Sequence, residues 1–190
     1  MCNKFNPHAV SVRVADAKRI NRGGALLSEF GGCSGSDACL REIRRTADAA
    51  DQHLQSWAYW QYKYYQDVTT QATNLESLWN PDGSLQLPKI KELSRTYAQA
   101  VQGTISAMQF DADTGAFSLS YTADAAITSP TEIYVNLAMW YPNGITYSPS
   151  GVYAGHHTDR ARSDWCNHRY DRQQVSGGGV LVRFLPNVNQ

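Results

Sequence analysis

Hydrophobic and polar positions fall into two regimes along the chain. Residues 1–20 carry a weak helical stripe at Val10, Val14, Ala17 and Ile20. Arg22-Gly23-Gly24 breaks it, and the apolar run Ala25-Leu26-Leu27 follows, closed by Ser28-Glu29-Phe30 and Gly31-Gly32. A buried parallel strand that ends in a polar residue and a glycine turn has this pattern. Asp37 is placed to cap a helix over about 38–51, with Leu40, Ile43, Ala47 and Ala50 on one face. The Trp- and Tyr-rich stretch from Leu54 to Tyr65 predicts a second strand running into a loop. Strand, glycine turn, helix and strand make a βαβ unit, hence a parallel sheet or barrel.

Asn80-Pro81-Asp82-Gly83 signals a turn, and Pro88 opens a short helix with Ile90 and Leu93 on one face. After Gly103 the period changes. Thr104–Phe110 and Ala116–Tyr121 flank Asp111-Ala112-Asp113-Thr114-Gly115 as a hairpin. Glu132–Tyr141 alternates as one strand, with Ile133, Val135, Leu137 and Met139 on a face. Tyr141-Pro142-Asn143-Gly144 turns the chain, and Gly179–Leu185 reads as a last strand. Short strands with Gly/Pro turns predict a small antiparallel sandwich. The expected organisation is α/β for residues 1–103 and all-β for residues 104–190.

The composition admits a packed core: 42% hydrophobic and 11% aromatic over 190 residues. Seventeen basic and 17 acidic side chains cancel, so charge argues for no nucleic acid or anionic membrane partner. No apolar run is long enough for a membrane-spanning helix. Residues 1–14 lack an apolar h-region and do not read as a signal peptide. Of the cysteines Cys2, Cys33, Cys39 and Cys166, the pair Cys33 and Cys39 sits in a Gly/Ser-rich turn that suits a local disulfide. Two free thiols in a reducing compartment is the competing reading. Cys166 with His156, His157 and His168 reads as polar loop rather than a zinc site, and no metal or organic cofactor is implied.

Two constellations carry candidate chemistry. Glu29 stands at the C-terminal end of a predicted parallel strand, where α/β barrels place catalytic groups. Pairing with an arginine, or capping the next helix, would use the same residue structurally. Ser56-Trp57-Ala58-Tyr59-Trp60-Gln61-Tyr62-Lys63 follows about one βα unit later. Indole and phenol rings stack on the apolar CH faces of sugars, or else pack a strand.

The segment Gly23-Gly24-Ala25-Leu26-Leu27-Ser28-Glu29-Phe30-Gly31 resembles the seventh barrel strand of glycoside hydrolase family five, in its endoglycoceramidase branch. The nucleophile there lies in a Glu-Phe-Gly context, which falls on Glu29. Ser56 to Lys63 is similar to that branch's eighth strand, and by position Trp60, then Trp57, takes the tryptophan of the cleavage subsite, with Tyr59 beside them. Asn80-Pro81-Asp82-Gly83 and Leu93 to Val101 resemble the stretch leading out of the barrel, and residues 104–190 are similar in kind to the C-terminal β-sandwich. The implied architecture is the last two strands of a (β/α)8 TIM barrel followed by that sandwich.

The resemblance implies a retaining mechanism with two carboxylates about 5–5.5 Å apart. Glu29 would be the nucleophile. The family's acid/base follows an Asn, and this chain has no Asn-Glu dipeptide; Glu42, Glu76, Glu92 and Glu132 do not match. A complete barrel takes roughly 200 residues or more, so the first six strands, with the acid/base, are expected upstream of Met1. Alone, the chain is expected to lack acid/base catalysis and to need that barrel half. The implied substrate is a glycosphingolipid, cleaved between oligosaccharide and ceramide, with peripheral contact with lipid. A family five β-glucanase or β-glucosidase is the near alternative. Tyr59, Tyr62, Tyr64 and Tyr65 are candidates for an aglycone wall. A non-catalytic carbohydrate- or lipid-binding module would instead use Trp140, Tyr141 and Tyr147, which otherwise read as core. Secretion or a lysosome is expected for the full-length protein.

Overall fold

The computed structural model describes residues 5–20, 24–64, 76–151, 157–162, 165–170 and 178–187. The chain forms two compact units, Met1–Leu93 and Ser94–Gln190. They divide ahead of the change in pattern near residue 103. The reason is Tyr97–Ala100, a strand that pairs with Thr131–Val135 and so belongs to the second unit.

The first unit runs α1 (Phe5–Arg19), β1 (Leu26–Gly31), α2 (Asp37–Gln52), β2 (Ser56–Trp60) and α3 (Leu87–Leu93). β1 and β2 are parallel neighbours, joined through α2 as a βαβ unit. α2 has neither glycine nor proline within it and buries Ile43, Ala47 and Ala50. Its N-cap is Ser36; Asp37, expected as the cap, is the first helical residue, a favourable place for a carboxylate beside the helix dipole. Leu54, at φ 53°, turns the chain left-handed, and the Gln55 amide reaches back to the Ala50 carbonyl at 2.8 Å.

α3 differs from its expected face. Lys89 and Glu92 are buried, not Ile90 and Leu93. The cause is polar: Arg44 of α2 grips the Glu92 carboxylate with two bonds of 2.6 and 2.8 Å, and the Lys89 ammonium donates to the Ser77 carbonyl at 2.8 Å. An apolar-period reading cannot find a helix face buried through ion pairs.

Burial lowers the Lys89 pKa from 10.5 to about 8. Between those values the unfolded chain holds a proton that the folded chain has released, so Lys89 makes stability rise with pH there. Tyr59, Tyr134 and Tyr141 are raised from 10.0 to about 12, each chiefly by burial, and act with the opposite sign above pH 10. Denaturant melts of the first unit should therefore move to higher midpoint from pH 7 to 9.5, and the second unit should weaken at pH 11.5. The Lys89→Met variant should lose the first trend. A rise that persists in that variant would remove Lys89 as its source.

The second unit contains β3 (Tyr97–Ala100), β4 (Gly103–Phe110), β5 (Phe117–Ala123), β6 (Thr131–Val135), the short helix α4 (Leu137–Trp140), β7 (Ile145–Gly151), β8 (His157–Arg162), β9 (Trp165–Tyr170) and β10 (Gly179–Pro186). Two four-stranded antiparallel sheets form, in the orders β4-β5-β10-β7 and β3-β6-β9-β8. Alternate residues of β5, β6 and β10 are buried and meet in one cluster, with Leu119, Ile133, Val135, Val182 and Phe184 at its centre. The expected hairpin is present as β4 and β5.

The single strand expected over 132–141 is instead β6 followed by α4. Asn136 caps the helix by accepting from the Met139 amide at 3.1 Å, an exchange that the period-two pattern conceals. His157 and His168, read as polar loop positions, lie on β8 and β9, as does Cys166 on β9. Cys2 and His156 lie outside the described residues.

Trp140 and Tyr141 are core. The Trp140 ring packs edge-on against Phe110 with centroids 5.1 Å apart, and its N–H donates to the Ser94 carbonyl. The Tyr141 hydroxyl donates to the Gly115 carbonyl at 2.8 Å and meets Thr96 Oγ1 at 2.9 Å. Tyr141→Phe removes both contacts inside the core and should lower stability by about 2 kcal/mol, read as an urea midpoint shift at constant m. A change below about 0.5 kcal/mol would mean that the hydroxyl is not the link it resembles.

Candidate active site

The two strands each position one candidate near their C-terminal ends. β1 and β2 pair in parallel as Leu26↔Ser56, Leu27↔Trp57, Phe30↔Tyr59 and Gly31↔Trp60, with a shift between Leu27 and Phe30. That extra residue puts Leu27 and Phe30 on the same face although they are three apart. The half-buried face thus holds Leu27, Phe30, Trp57 and Tyr59. Phe30 meets Trp57 and Tyr59 edge-on, each with centroids 5.5 Å apart. Ser28 and Glu29, at the shift, are exposed, as are Ala58 opposite the shift and Trp60 opposite Gly31.

Register and exposure group Glu29 with Trp60, whose side chain is 40% exposed. Trp57 and Tyr59 face the other way. Period-two alternation separates Trp57 from Trp60, which are an odd number of residues apart. The sequence reading placed both tryptophans and Tyr59 together beside Glu29. The strand geometry leaves Trp60 there and turns Trp57 and Tyr59 into packing for Phe30.

The strand ends are pressed close. A Cβ on Gly31 would sit 2.0 Å from the Trp60 carbonyl oxygen, so only glycine allows this approach. Trp60 is followed by a cis peptide to Gln61. Cys33 and Cys39 form a disulfide with Cα atoms 5.3 Å apart, closing the loop from β1 into α2. Of the aglycone candidates, Tyr62 is exposed and stacks edge-on with Trp79 at 6.0 Å, Tyr64 is half-buried, and Tyr65 lies outside the described residues.

One acidic residue enters that the sequence reading passed over. Glu76 is buried, at 8% exposure, and its Oε2 accepts from the Trp60 indole N–H at 3.2 Å. Its carbonyl accepts from the Gln61 amide at 3.1 Å. Tyr59 is raised to about 12 first by burial and then by the Glu76 charge. Glu76 is 16 residues from Trp60, and no local spacing rule links the two. The turn after it is as expected: Gly83, at φ 81°, donates to the Asn80 carbonyl at 3.0 Å, and hydrogen bonds from Ser84 hold Asp82 below the usual carboxylate range.

Comparison with known proteins gives the same direction. Residues 95–176 match the glycoside hydrolase family 5 C-terminal domain. An endoglycoceramidase of Hydra vulgaris is 34% identical over 136 residues, covering 71% of this chain and 25% of that protein. Endoglycoceramidase I of Rhodococcus hoagii is 30% identical over 126 residues, covering 66% and 21%. The chain therefore spans about a quarter of the length of the curated relatives it matches. Among solved structures, the lactosyl-enzyme intermediate of endo-glycoceramidase II from Rhodococcus sp. superposes with TM-score 0.72 at 21% identity, over 94% of this chain and 37% of that one. Sterylglucosidase 1 of Cryptococcus neoformans gives 0.74 at 16% identity, over 97% and 31%. These structural likenesses establish a shared fold. Residues 95–176 thus carry a glycoside hydrolase family 5 C-terminal domain, and the chain is endoglycoceramidase-like.

Proposed function

We propose that this chain is the C-terminal part of a retaining endo-β-glycosidase that cleaves the oligosaccharide–ceramide bond of glycosphingolipids. In this reading β1 and β2 are the last two strands of a TIM barrel, and the two antiparallel sheets are the β-sandwich that follows. The observation that carries it is the shared exposed face of Glu29 and Trp60 at the C-terminal ends of two parallel strands. Endo-glycoceramidase II from Rhodococcus sp., a solved structural neighbour, forms a ganglioside GM3 complex, which supports a glycolipid substrate.

Glu29 would attack the anomeric carbon as the bond to the leaving oxygen breaks, giving a glycosyl-enzyme. That oxygen takes its proton from an acid/base carried by the missing barrel strands. Water, deprotonated by the same group, then releases the sugar and restores Glu29. Trp60 offers its indole face to the sugar at the cleaved bond. On its own the chain would be inactive for want of the acid/base. The disulfide supports an oxidising compartment, so we place the full-length protein in the secretory route or a lysosome.

The test is a 2-deoxy-2-fluoro-lactosyl inactivator applied to the complete enzyme. The adduct should map by mass spectrometry to the peptide bearing Glu29; a label on another carboxylate would remove Glu29 from this role. Lactosylceramide and a β-glucan assayed side by side separate the ceramide reading from the β-glucanase one. The binding-module reading is weakened by the burial of Trp140 and Tyr141, which leaves Tyr147, at 37% exposure, as its one accessible aromatic of the three.

A further inference from the structure

Trp60 is the aromatic platform of the site proposed above. We propose that Glu76 is a positioning residue that sets the orientation of the Trp60 ring, and through it the seat of the sugar; this rests on the glycosidase reading of Trp60. An indole half exposed at a strand end has two soft torsions and a single polar handle, its N–H. Here the handle is fastened to the Oε2 of a buried glutamate. The same residue is fixed from behind by its backbone, since its carbonyl accepts from Gln61, the residue next to Trp60.

Both ends of Trp60 are therefore tied to one residue, one through the side chain and one through the adjoining peptide. The loop carrying Glu76 is itself fastened: the Leu78 amide donates to the Gln61 carbonyl at 3.2 Å, and Lys89 holds the Ser77 carbonyl at 2.8 Å. A stacked sugar needs the ring plane held within a narrow angle, because dispersion contact falls off within an ångström. An indole N–H bonded to a buried acceptor has that restraint before the ligand arrives. Glu76 does not touch the sugar in this scheme.

The experiment uses the complete enzyme, with two readouts. The first is the indole N–H resonance of Trp60, assigned by its loss in Trp60→Phe. The second is lactose affinity, measured by isothermal titration calorimetry. Glu76→Ala should displace the resonance and weaken lactose by about tenfold. Glu76→Gln retains an acceptor oxygen and should restore affinity to within about threefold. Should the alanine variant fail to fold, Glu76→Met keeps the bulk without the acceptor and reports the same two signals. An unmoved resonance with unchanged affinity in the alanine or methionine variant overturns the positioning role. A displaced resonance with lactose binding unaltered in both Glu76→Ala and Trp60→Phe sinks the sugar-platform reading instead, while leaving the Glu76–Trp60 contact standing.

Discussion

Glu29→Gln should reduce turnover of a lactosyl substrate by the complete enzyme by on the order of 10⁴-fold, with little change in KM. The substitution preserves size and the strand, and Glu29 is exposed, so folding is not at stake. What is lost is the anionic oxygen that forms the bond to the anomeric carbon; an amide at that point is not a nucleophile. Removing the side chain altogether permits a second measurement. In Glu29→Ala, azide can enter the vacated space, and with an activated aryl lactoside it should restore turnover and give a glycosyl azide of inverted configuration. An azide product that retained configuration would assign Glu29 to the acid/base position instead. Turnover within tenfold of the parent would exclude it from covalent catalysis.

Gly31→Ala should cost the first unit about 4 kcal/mol, the upper end of single-residue effects. The added methyl would meet the Trp60 carbonyl oxygen at 2.0 Å, and backbone on both sides leaves no flexible side chain to give way. β1 must move off β2, breaking the register that groups Glu29 with Trp60. Gly32→Ala is the control. Gly32 has φ +72° with nothing within 4 Å of an added Cβ, so it carries only the cost of a left-handed alanine, about 1 kcal/mol. Urea titrations followed by far-UV circular dichroism would compare them. Equal losses in the two variants would mean that the close approach at Gly31 is not maintained in solution.

Much of the strand order was legible because hydrophobic period is a local property. The amphipathic stripe of α2 and the alternation in β5 and β10 each bury their apolar side in the described fold, whereas the Ala25–Leu27 run, expected as a buried strand, leaves Leu26 62% exposed. The turn at Asn80 to Gly83 and the Cys33–Cys39 pair were equally local, since their partners lie within a few residues. β8 and β9 escaped because their sequences, HTDRAR and WCNHRY, offer no apolar alternation. α4 escaped because four residues behind an Asn cap keep the same apolar spacing as the strand before them. β3 was passed over as the way out of the first domain, and its pairing with β6 moved the boundary.

The parallel βαβ unit and the antiparallel second half were determined by the sequence alone, because each rests on side-chain type and neighbours in the chain, while Glu29 and Trp60 are candidates through the resemblance their segments bear to family five barrel strands. Which tryptophan accompanies Glu29 was decided only in three dimensions, by the one-residue shift between β1 and β2 that separates Trp60 from Trp57 and Tyr59. The same is true of Glu76, Arg44 with Glu92, and Lys89 with Ser77. Their contacts join segments distant in sequence, and a hydrogen bond or ion pair leaves no periodic mark on the chain that makes it.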